Sequence, residues 1–585
     1  MSDSLSTSGT TATTGTLSLL PLGGVGEIGM NGLLLGWGGR RWLIDCGVMF
    51  PDASVASTDV VLPDLRWFER KGDGAGDSLA GIVLTHAHED HIGALPFVLA
   101  RRRVPVYGAR FTLELVERRL EEYGLAGRVE LRLLETASRG GGAVRPPETP
   151  ELAFSLLRVT HSIPEAASLV VETPIGTVLH TGDFKIDDDP MDGEHFDRDG
   201  FRALGDRGVL LMLSDSTNAQ VPGRTASERS VVAELEKRVA AWPGRVVVAQ
   251  FASNLHRLRG LEEVAQRTGR RLCLMGRSFA KYNAAARAAG IACLDERRLI
   301  DPDRVGGVPP RDVIAVLTGS QGERRAALYK ASVGELSGLR IGPEDLVLLS
   351  SRVIPGNERA VYRIVNDLVR QGATVVHSGA APIHTSGHAR RDELREMLAL
   401  VRPRMFIPVH GEYAFLKDHE ALARCAGVET TLVMENGEEI LVEPLAGLTR
   451  LRSVPLDPHY FDGTVTADAE ELGLDERTRM FHNGCIAAHI SLRRARPALV
   501  ATVELQARGV FTDDGHHLDR AATEVADAIA ELPLNAPDLE LEEVARTVIR
   551  RYFRKSTGKK PVVIAFVTAA TATPDAAAAS SRSAP

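Results

Sequence analysis

The stretch from Thr85 to His91 (THAHEDH) follows a short apolar run that is typical of a strand, and it is the strongest single indication of the fold. Side chains at positions i and i+2 of an extended segment point the same way, so His86 and His88 can reach one metal ion. If a helix begins near Asp90, the side chains of Asp90 and His91 point about 100° apart and could serve a second ion. Imidazoles and carboxylates are the usual ligands of zinc-like metals. The competing interpretation is a polar loop that is rich in histidine by chance.

Two metal sites need more than four ligands, and three further candidates follow predicted strands. They are His161 in LLRVTHSIPEA, Asp183 in GTVLHTGDFKID and His410 in MFIPVHGEY. Taken singly, each histidine is more often structural than a ligand, but their shared position at strand ends favours a common site. A carboxylate such as Asp183 can bridge two cations and hold them about 3.5–4 Å apart.

The composition is that of a globular protein. The chain has 585 residues, of which 44% are hydrophobic and 25% charged. The formal net charge of −8 excludes a highly basic protein that coats nucleic acid, but it allows an enzyme with a local basic channel. The five cysteines are scattered without a C-x-x-C pair, which favours a reduced cytoplasm. Because we see no secretory signal and no apolar run of about 18 residues, we expect no membrane span.

Apolar runs alternate with amphipathic segments along most of the chain, and this alternation predicts an α/β class with sheets covered by helices. The predicted strands include 17–23, 32–37, 41–47, 81–86, 245–252, 312–320, 344–352 and 373–379, and the predicted helices include 111–125 and 256–269. Residues 1–16 and 571–585 have little to bury, so we predict disorder at both ends. The strand pattern is interrupted near residues 443–458, and we predict that the chain beyond this break forms a small α+β domain of its own.

The candidate ligands resemble the pattern of the metallo-β-lactamase superfamily, in which an αββα sandwich carries a dinuclear metal site at one edge of its sheets. The resemblance implies that His86, His88 and His161 hold one ion, that Asp90, His91 and His410 hold the other, and that Asp183 bridges them. It also implies that Asp45, in LIDCG, steadies the ligands without binding an ion. We expect His180, next to the T-G-D motif, to be incidental.

The chain between Asp183 and His410 is too long for a plain metallo-β-lactamase, and it resembles the inserted β-CASP domain of nucleic-acid-processing members. Asp215 in LSDSTNA matches the first β-CASP motif, and residues 384–388 match the H-x-S-G-H motif. Finer matches resemble the ribonuclease J family: LGGVGEIGMN (22–31), IDCGVMFP (44–51), THAHEDHIGALP (85–96), THSIPEA (160–166), TGDFKID (181–187), SDSTNA (214–219), QFASNLHR (250–257) and TGSQGE (318–323).

This resemblance implies a domain order for the chain. We predict a metallo-β-lactamase domain over 17–220, a β-CASP domain over 221–372, a return segment of the first domain over 373–445, a linker over 446–458 and the C-terminal domain over 459–570. The C-terminal part matches the family less well, so its role is open. Its basic residues Arg550, Arg551, Arg554, Lys555, Lys559 and Lys560 are a weak indication of RNA contact.

Hydrolysis of RNA needs a nucleophilic water and stabilisation of charge on a phosphate, and two bound cations supply both. The expected cofactors are two divalent ions, zinc first, with manganese or magnesium as alternatives. Asp90 and Asp183 would balance the charge of the ions, and His388 could donate a proton or hydrogen bond to the scissile phosphate. A structural loop histidine is the plain alternative for His388.

Two loops are candidates for binding the phosphates of the substrate. The first consists of His384, Thr385, Ser386, Gly387 and His388, and it offers hydroxyls, imidazoles and backbone N–H groups. The second is Ser253 and Asn254 in FASNLHR, at a predicted strand-to-helix turn of the kind that binds anions, although Ser253 could equally be a helix cap. In ribonuclease J the matching segments grip a 5′-monophosphate. We see no cation for the extra charge of a triphosphate, so we predict a preference for the monophosphate.

The resemblance implies a cytoplasmic, metal-dependent ribonuclease with 5′→3′ exonuclease and endonuclease activity that acts in mRNA decay and rRNA maturation. Its substrate would be 5′-monophosphorylated single-stranded RNA, and the chain would form a homodimer or homotetramer, take part in an RNA-degradation complex and avoid membranes. A metallo-β-lactamase-fold hydrolase of small esters, thioesters or lactams is one alternative, but it would not explain the long insert. An inactive RNA-binding homologue is another, although such proteins usually lose ligands and all seven are present here.

Overall fold

The computed structural model describes residues 15–51, 58–69, 78–136, 142–292, 294–354 and 356–569. The two ends predicted to be disordered therefore lie outside the described residues, apart from residues 15 and 16. The described part divides into two compact units: one comprises the described residues of Met1–Phe50 and Val60–Phe461, and the other those of Pro51–Asp59 and Asp462–Pro585. Within the described ranges, every helix is too short or too polar to span a membrane.

Two β-sheets form the centre of the first unit. In spatial order, one contains Gly447–Ser453, Glu438–Glu443, Leu17–Gly23, Gly32–Trp37, Arg40–Ile44, Leu79–Val83, Val106–Gly108 and Leu131–Leu133. The other contains Thr430–Thr431, Met405–Val409, Leu211–Asp215, Gly176–His180, Ala167–Thr173 and Ala153–Arg158. Short pairs join Val25–Gly26 to Gly411–Glu412 and Val60–Leu62 to His459–Asp462.

Alternate side chains of these strands point into two different cores. Leu19 and Leu35 pack with Leu211 and Ile407 between the sheets. Leu20, one position along its strand, belongs instead to the core beneath the outer helices. Strands that are buried on both faces read as continuous apolar runs, which is why the sequence reveals them so clearly. The helices of this sandwich are Glu89–Ile92, Leu95–Arg101, Arg110–Glu122, Arg198–Arg207, Arg391–Val401 and Tyr413–Cys425, with a 3₁₀ turn at Leu65–Phe68.

A parallel sheet forms the inserted part of the first unit. Its strands, in spatial order, are Arg271–Met275, Val313–Leu317, Val246–Ala249, Leu346–Leu349 and Thr374–His377, and every neighbouring pair is parallel. Its helices are Glu228–Ala241, Leu255–Thr268, Arg277–Ala288, Ala327–Ser332 and Glu358–Arg370, and 3₁₀ turns lie at Glu296–Arg298, Pro302–Gly307 and Pro310–Asp312. The loops after these strands therefore emerge at one edge of the sheet.

The second unit is a small α+β structure. Leu499–Arg508, Cys485–Arg494 and Val562–Ala569 form its sheet in this order, and Val465–Ala467 is a further strand. Helices His516–Ala530 and Asp538–Thr557 bury one face of the sheet, and Leu474–Asn483 is the remaining helix of the described residues. The basic side chains predicted from the sequence, from Arg550 to Lys560, lie on the exposed surface of this unit.

Three neighbouring strands of the second sheet end at the same edge of the sandwich. Gly176–His180 runs parallel to Leu211–Asp215, which runs parallel to Met405–Val409. The carboxyl ends of parallel strands meet at one edge, so the chain segments that follow them are brought together. Asp183 and His410 lie in these segments, far apart in sequence but adjacent in space.

Candidate active site

The stretch Thr85–His91 leaves its strand as an extended segment and then enters the short helix Glu89–Ile92. His88 is the cap residue, with φ −73° and ψ 153°, so the backbone changes conformation within the motif. His86 lies in the extended part and Asp90 in the helix, which lets their side chains approach the centre from different directions. This change of backbone agrees with the expectation of an extended segment at His86 and His88 followed by a helix that begins near Asp90.

Four side chains form the first group that could hold a metal ion: His86, His88, His161 and Asp183. Nδ1 of His88 lies 3.1 Å from Nε2 of His86 and 3.1 Å from Nε2 of His161. Oδ2 of Asp183 lies 3.7 Å from Nε2 of His86 and 3.9 Å from Nε2 of His161. Tetrahedral ligands about 2.0–2.1 Å from zinc are about 3.3 Å from one another, so these separations suit a zinc-like ion.

The second group consists of Asp90, His91, Asp183 and His410. Nε2 of His91 lies 3.3 Å from Oδ2 of Asp183 and 3.6 Å from Oδ2 of Asp90. Nε2 of His410 lies 3.5 Å from Oδ2 of Asp90, and its Nδ1 lies 2.7 Å from Oδ1 of Asp183. Asp183 thus belongs to both groups, and its Oδ2 atom faces ligand nitrogens of each.

Hydrogen bonds leave the nitrogens that face the centre free to bind an ion. Nδ1 of His86 lies 3.1 Å from Oγ1 of Thr85, and Nδ1 of His161 donates to the carbonyl of Gly387 at 2.7 Å. Each of these rings therefore carries its proton on the outer nitrogen and turns a lone pair inward. Nε2 of His410 is buried without a hydrogen-bond partner among the described residues, which is costly unless an ion binds there. The residues present thus fit a pair of divalent metal ions.

Asp45 supports this arrangement from behind. Its buried carboxylate accepts hydrogen bonds from the backbone N–H and the hydroxyl of Thr85 and from Nδ1 of His91, each at 2.8 Å. Asp45 has a φ of +60°, in the left-handed region that few residues other than glycine adopt, and this turn follows strand Arg40–Ile44 directly. The carboxylate holds His91 in the tautomer whose Nε2 faces the centre.

The electrostatics differ between the two groups. Burial lowers the pKa of His88 to about 4 and holds the pKa of His161 well below its ordinary value, so both rings are neutral near pH 7. Burial also opposes charge on His410, but Asp183 and Asp90 outweigh it and raise its pKa to about 10. Despite burial, His410 and neighbouring histidines hold the pKa of Asp183 well below its ordinary value. The first group therefore offers neutral imidazole nitrogens, and the second offers ionised carboxylates beside a protonated His410, which would give up its proton if an ion bound there.

His388 lies beside the ligands and is oriented by Asp215. Its Nδ1 is 2.9 Å from Oδ2 of Asp215 and 3.9 Å from Oδ2 of Asp183, and its side chain is 21% exposed. Oδ1 of Asp215 accepts hydrogen bonds from the N–H and hydroxyl of Thr217, which fixes the carboxylate. Burial opposes charge on His388, but Asp215 and Asp183 raise its pKa above the ordinary value. The ring can therefore present a proton on Nε2.

The loop 384–388 is fixed to the candidate ligand His161 and to its surroundings by hydrogen bonds. The carbonyl of Gly387 accepts from His161, and a Cβ at Gly387 would lie only 2.5 Å from Cε1 of that ring. Oγ of Ser386 accepts from Nδ2 of Asn218 at 3.0 Å and from the backbone N–H of His388 at 3.1 Å. The hydroxyl of Thr385 donates to the carbonyl of Ala226, at 2.8 Å, and is therefore occupied.

The second predicted loop contacts the first through an arginine. Asn254 caps helix Leu255–Thr268, because its Oδ1 accepts the backbone N–H of Arg257 at 3.0 Å. Nη1 of Arg257 then lies 3.0 Å from Nδ1 of His384. Ser253 is partly exposed at the start of this turn and makes no side-chain hydrogen bond within the described ranges. The structure thus brings His384 to the start of this helix, while the side chain of Asn254 serves mainly as a cap.

Some residues of the site carried no assigned role in the sequence. Nδ2 of Asn31 lies 3.0 Å from Nε2 of His91, so the glycine-rich motif that contains Asn31 reaches the centre. Asn218, in SDSTNA, holds Ser386, and Nη1 of Arg352 donates to Oδ1 of Asn218 at 3.3 Å. Arg352 is therefore connected to loop 384–388 through Asn218, which the sequence did not predict. His180 accepts the backbone N–H of Gly182 and belongs to neither ligand group.

Comparisons with known proteins agree with this geometry. Four family models match consecutive parts of the chain: the β-lactamase superfamily domain over 40–198, the ribonuclease J β-CASP domain over 243–368, the Zn-dependent metallo-hydrolase RNA specificity domain over 375–441 and the ribonuclease J C-terminal domain over 472–570. The ribonuclease J of Sinorhizobium meliloti is 36% identical over 555 residues, which covers 93% of this chain and 96% of that protein. The chain belongs to the ribonuclease J family.

Other members of the ribonuclease J family are comparably similar. The ribonuclease J of Mycobacterium tuberculosis is 36% identical over 548 residues, covering 93% of this chain and 95% of that protein. Ribonuclease J 1 of Streptococcus pyogenes is 32% identical over 560 residues, covering 93% and 96%. A crystal structure of a protein of unknown function from Enterococcus faecalis has a TM-score of 0.52 and 16% identity over 73% of this chain and 100% of that chain, so the likeness concerns the fold alone.

Membership of the ribonuclease J family confirms two predictions from the sequence. The family resemblance is confirmed, and so is the fold class of a metallo-β-lactamase sandwich with an inserted β-CASP domain and a C-terminal domain. The same matches support a metallo-hydrolase of the nuclease class, and the His/Asp cluster supplies residues that could hold its metal. Assignment of individual residues to ions and substrate remains a matter of proposal.

Proposed function

We propose that the chain hydrolyses phosphodiester bonds of RNA at a centre of two divalent ions, both from the 5′ end in the 5′→3′ direction and internally. The observation that carries the proposal is the shared carboxylate: Oδ2 of Asp183 faces Nε2 of His86 at 3.7 Å and Nε2 of His91 at 3.3 Å. A carboxylate between two ligand groups is the usual arrangement of dinuclear hydrolases. Zinc suits the ligands best, with manganese or magnesium as alternatives.

The two ligand groups indicate which residues would hold each ion. His86, His88 and His161 would hold one ion, Asp90, His91 and His410 the other, and Asp183 would bridge them. When bound, such cations activate water as a nucleophile and neutralise charge on the phosphoryl group. Asp90 and Asp183 would offset about half of the positive charge of the two ions.

His388 is the proposed proton donor of the chain itself. Asp215 binds its Nδ1 at 2.9 Å, so the ring is held with Nε2 free to face the substrate. Because Asp215 and Asp183 raise the pKa of His388, the ring can carry its proton near neutral pH. The proton or hydrogen bond would go to the scissile phosphate or to the leaving oxygen.

The 5′ phosphate is proposed to bind at loop 384–388 together with the start of helix Leu255–Thr268. Ser386, Gly387 and His388 lie against the metal centre, and His384 lies against that helix through Arg257. A phosphate seated here would be at a fixed distance from the ions, because the same loop binds His161. This supports removal of nucleotides from a 5′-monophosphorylated end.

The biological setting rests on the family. We propose that the substrate is single-stranded RNA in the cytoplasm, that the roles are mRNA decay and rRNA maturation, and that the chain acts as a homodimer or homotetramer with a place in an RNA-degradation complex. The support comes from relatives named ribonuclease J that match along 93% of the chain and from the RNA specificity model.

One experiment tests the metal assignment and the chemistry together. The purified parent protein should contain about two ions per chain by elemental analysis and degrade labelled 5′-monophosphorylated RNA. Asp183→Asn should lose metal from both groups, whereas His388→Ala should keep its metal and RNA binding but turn over RNA about 10²–10⁴-fold more slowly.

The controls separate this function from its alternatives. Full metal content in Asp183→Asn would contradict the shared-carboxylate assignment. Parental turnover in His388→Ala would move the proton-donor role elsewhere. A parent protein that binds RNA and metal without cleaving RNA would identify an inactive homologue, and cleavage of small esters alone would identify a different hydrolase.

A further inference from the structure

The proposed seat for the 5′ phosphate must supply positive charge, since a phosphate monoester carries about −1.5 to −2 near pH 7. Apart from His388, which is the proposed proton donor, four basic side chains lie in this region of the first unit: His384 and the three around it, Arg257, Lys185 and Arg352. The contacts of each side chain show whether it carries a positive charge that a phosphate could meet. The inference that follows rests on the proposed function and concerns which of these groups meets the charge.

His384 is held as a neutral ring. Nη1 of Arg257 lies 3.0 Å from its Nδ1, and a guanidinium has only donors, so Nδ1 accepts and the proton sits on Nε2. Burial, followed by the charges of Arg257, Arg352 and Lys185, keeps the pKa of His384 well below its ordinary value, although the Ser350 carbonyl opposes this shift. His384 can therefore donate one neutral hydrogen bond but contributes no charge.

Arg257 and Lys185 are already paired. Arg257 is 1% exposed, and its Nε and Nη2 bind the two oxygens of Glu228 at 2.6 and 3.0 Å. Its Nη1 donates to the carbonyl of Ser350 as well. Lys185 is 2% exposed and lies 3.1 Å from Oδ2 of Asp187. Their charges are neutralised inside the protein, so neither is available to a ligand.

Arg352 differs from the other three. It is exposed in the loop after strand Leu346–Leu349, and among the described residues no carboxylate lies within ion-pair distance of its guanidinium. Nη1 donates to Oδ1 of Asn218 at 3.3 Å, and Nδ2 of Asn218 donates to Ser386 and to the carbonyl of His388. A single amide thus connects the guanidinium to loop 384–388.

The main chain also fixes the position of Arg352. Its carbonyl accepts Nε2 of Gln321 at 2.8 Å, and Oε1 of Gln321 accepts the backbone N–H of Ile354 at 2.8 Å. Gln321 is buried and therefore ties the loop to the neighbouring one. Within the described ranges the guanidinium is thus a charge without an acidic partner, on a positioned backbone and one amide away from loop 384–388.

We propose that Arg352 is the substrate-binding residue that meets the charge of the terminal phosphate, while His384 acts there as a neutral hydrogen-bond donor. Arginine suits this task because its fork of donors matches phosphate oxygens and it stays charged at all relevant pH values. A 5′-hydroxyl end offers no such charge. Arg352 therefore determines how strongly the enzyme prefers a 5′-phosphorylated end.

The test compares Arg352→Gln and Arg352→Lys with the control Arg404→Gln. Arg404 is exposed, and its Nη2 donates to the carbonyl of Pro444 at 2.9 Å, its one side-chain hydrogen bond to the part of the chain that the structure describes. It precedes strand Met405–Val409 at the end opposite His410, about 20 Å away along the strand. The control removes the same charge at a remote place. For each protein, kcat and KM are measured on one single-stranded RNA with a 5′-monophosphate or a 5′-hydroxyl, at several KCl concentrations.

Arg352→Gln should lower the ratio of kcat/KM for the two ends about five- to tenfold, chiefly by raising KM for the phosphorylated RNA. The slope of log KM against log salt concentration should become shallower by about 0.7, the value for one phosphate contact on a single strand. Arg352→Lys should keep part of the preference, and Arg404→Gln should match the parent in both readouts.

An unchanged end ratio and salt slope in Arg352→Gln would overturn the inference while leaving the nuclease assignment intact. A parent protein that cleaves neither RNA would overturn the proposed function itself. Equal losses in Arg352→Gln and Arg404→Gln would show a general effect of net charge and would also overturn the specific role of Arg352.

Discussion

Replacing Asp45 with asparagine changes one atom of the group that supports the ligands. The carboxylate accepts three hydrogen bonds at 2.8 Å: Oδ1 from the backbone N–H of Thr85, and Oδ2 from the hydroxyl of Thr85 and from Nδ1 of His91. An asparagine side chain has nearly the same shape but offers only one acceptor oxygen. If that oxygen takes the place of Oδ2, the amide NH₂ group faces the backbone N–H of Thr85, and two donors meet.

The cost can be estimated from these contacts. Hydrogen bonds to a charged acceptor contribute about 1.5–3 kcal/mol each, and a buried donor left without a partner costs about 1–3 kcal/mol. Asp45→Asn keeps a neutral bond to His91 but loses the charge and leaves one backbone donor unpaired. We therefore expect the free energy of unfolding of the metal-free protein to fall by about 2–4 kcal/mol.

The same change should weaken metal binding. Asp45 fixes His91 directly and steadies His86 through the hydroxyl of Thr85. Loss of such a supporting contact typically lowers metal affinity about 10–100-fold. The effect should be larger than any general loss of stability would cause, because a neutral amide oxygen holds the ring of His91 less strongly than the carboxylate does.

Asp64→Asn is the matched control. Asp64 is also buried and accepts several hydrogen bonds, from Arg66 and from the backbone of Asp457, but it touches no candidate ligand. Urea unfolding in the presence of a chelator measures stability, and competition with a fluorescent chelator measures metal affinity. Both variants should lose stability, and only Asp45→Asn should lose affinity. Equal metal affinity in the two variants would refute the supporting role of Asp45.

Two further substitutions test the loop and the buried ion pair. Gly387→Ala would place a Cβ 2.5 Å from Cε1 of His161, so turnover of RNA should fall about 100-fold, whereas Gly142→Ala, which meets no described atom within 4 Å, should match the parent. Glu228→Gln should lower the free energy of unfolding by about 3–5 kcal/mol near pH 7. Burial opposes charge on Glu228, but Arg257 holds its pKa below the ordinary 4.5, so the pair's stability is present above about pH 4.5 and is lost as pH falls further. Urea unfolding should show the gap between Glu228→Gln and the parent closing below about pH 4, and a constant gap would contradict this.

The strands of the sandwich could be predicted closely where glycine or polar residues bound an apolar run. Leu17–Gly23 and Gly32–Trp37 have the predicted bounds. In the inserted parallel sheet the prediction is less close: the sequence predicts one strand over 245–252, but the strand is Val246–Ala249. The following Phe251 and Ala252 are apolar residues of the loop, and composition does not reveal where the hydrogen-bonded ladder stops.

The candidate site could be predicted in part for a related reason. Asp183 and His410 follow strands directly, and parallel strands bring such residues to one edge. Arg352 and Asn218 follow strands too, but neither residue type indicates a site by itself. An arginine there reads as an ordinary surface residue, and an asparagine as an ordinary turn residue. Their meeting depends on a hydrogen bond between residues 134 positions apart, which no local pattern encodes.

The candidate metal centre and the proposed phosphate seat share hydrogen bonds that tie them together. The carbonyl of Gly387 accepts a hydrogen bond from His161 at 2.7 Å. Asp215, the last residue of strand Leu211–Asp215, lies 2.9 Å from Nδ1 of His388. The loop therefore cannot shift without moving a ligand on one side and the proposed proton donor on the other. In the proposed exonuclease reaction the terminal phosphate lies at a set distance from the reacting phosphate, so these two bonds would determine which linkage lies over the ions. A substitution that loosens either bond should disturb the site of cleavage as well as its rate.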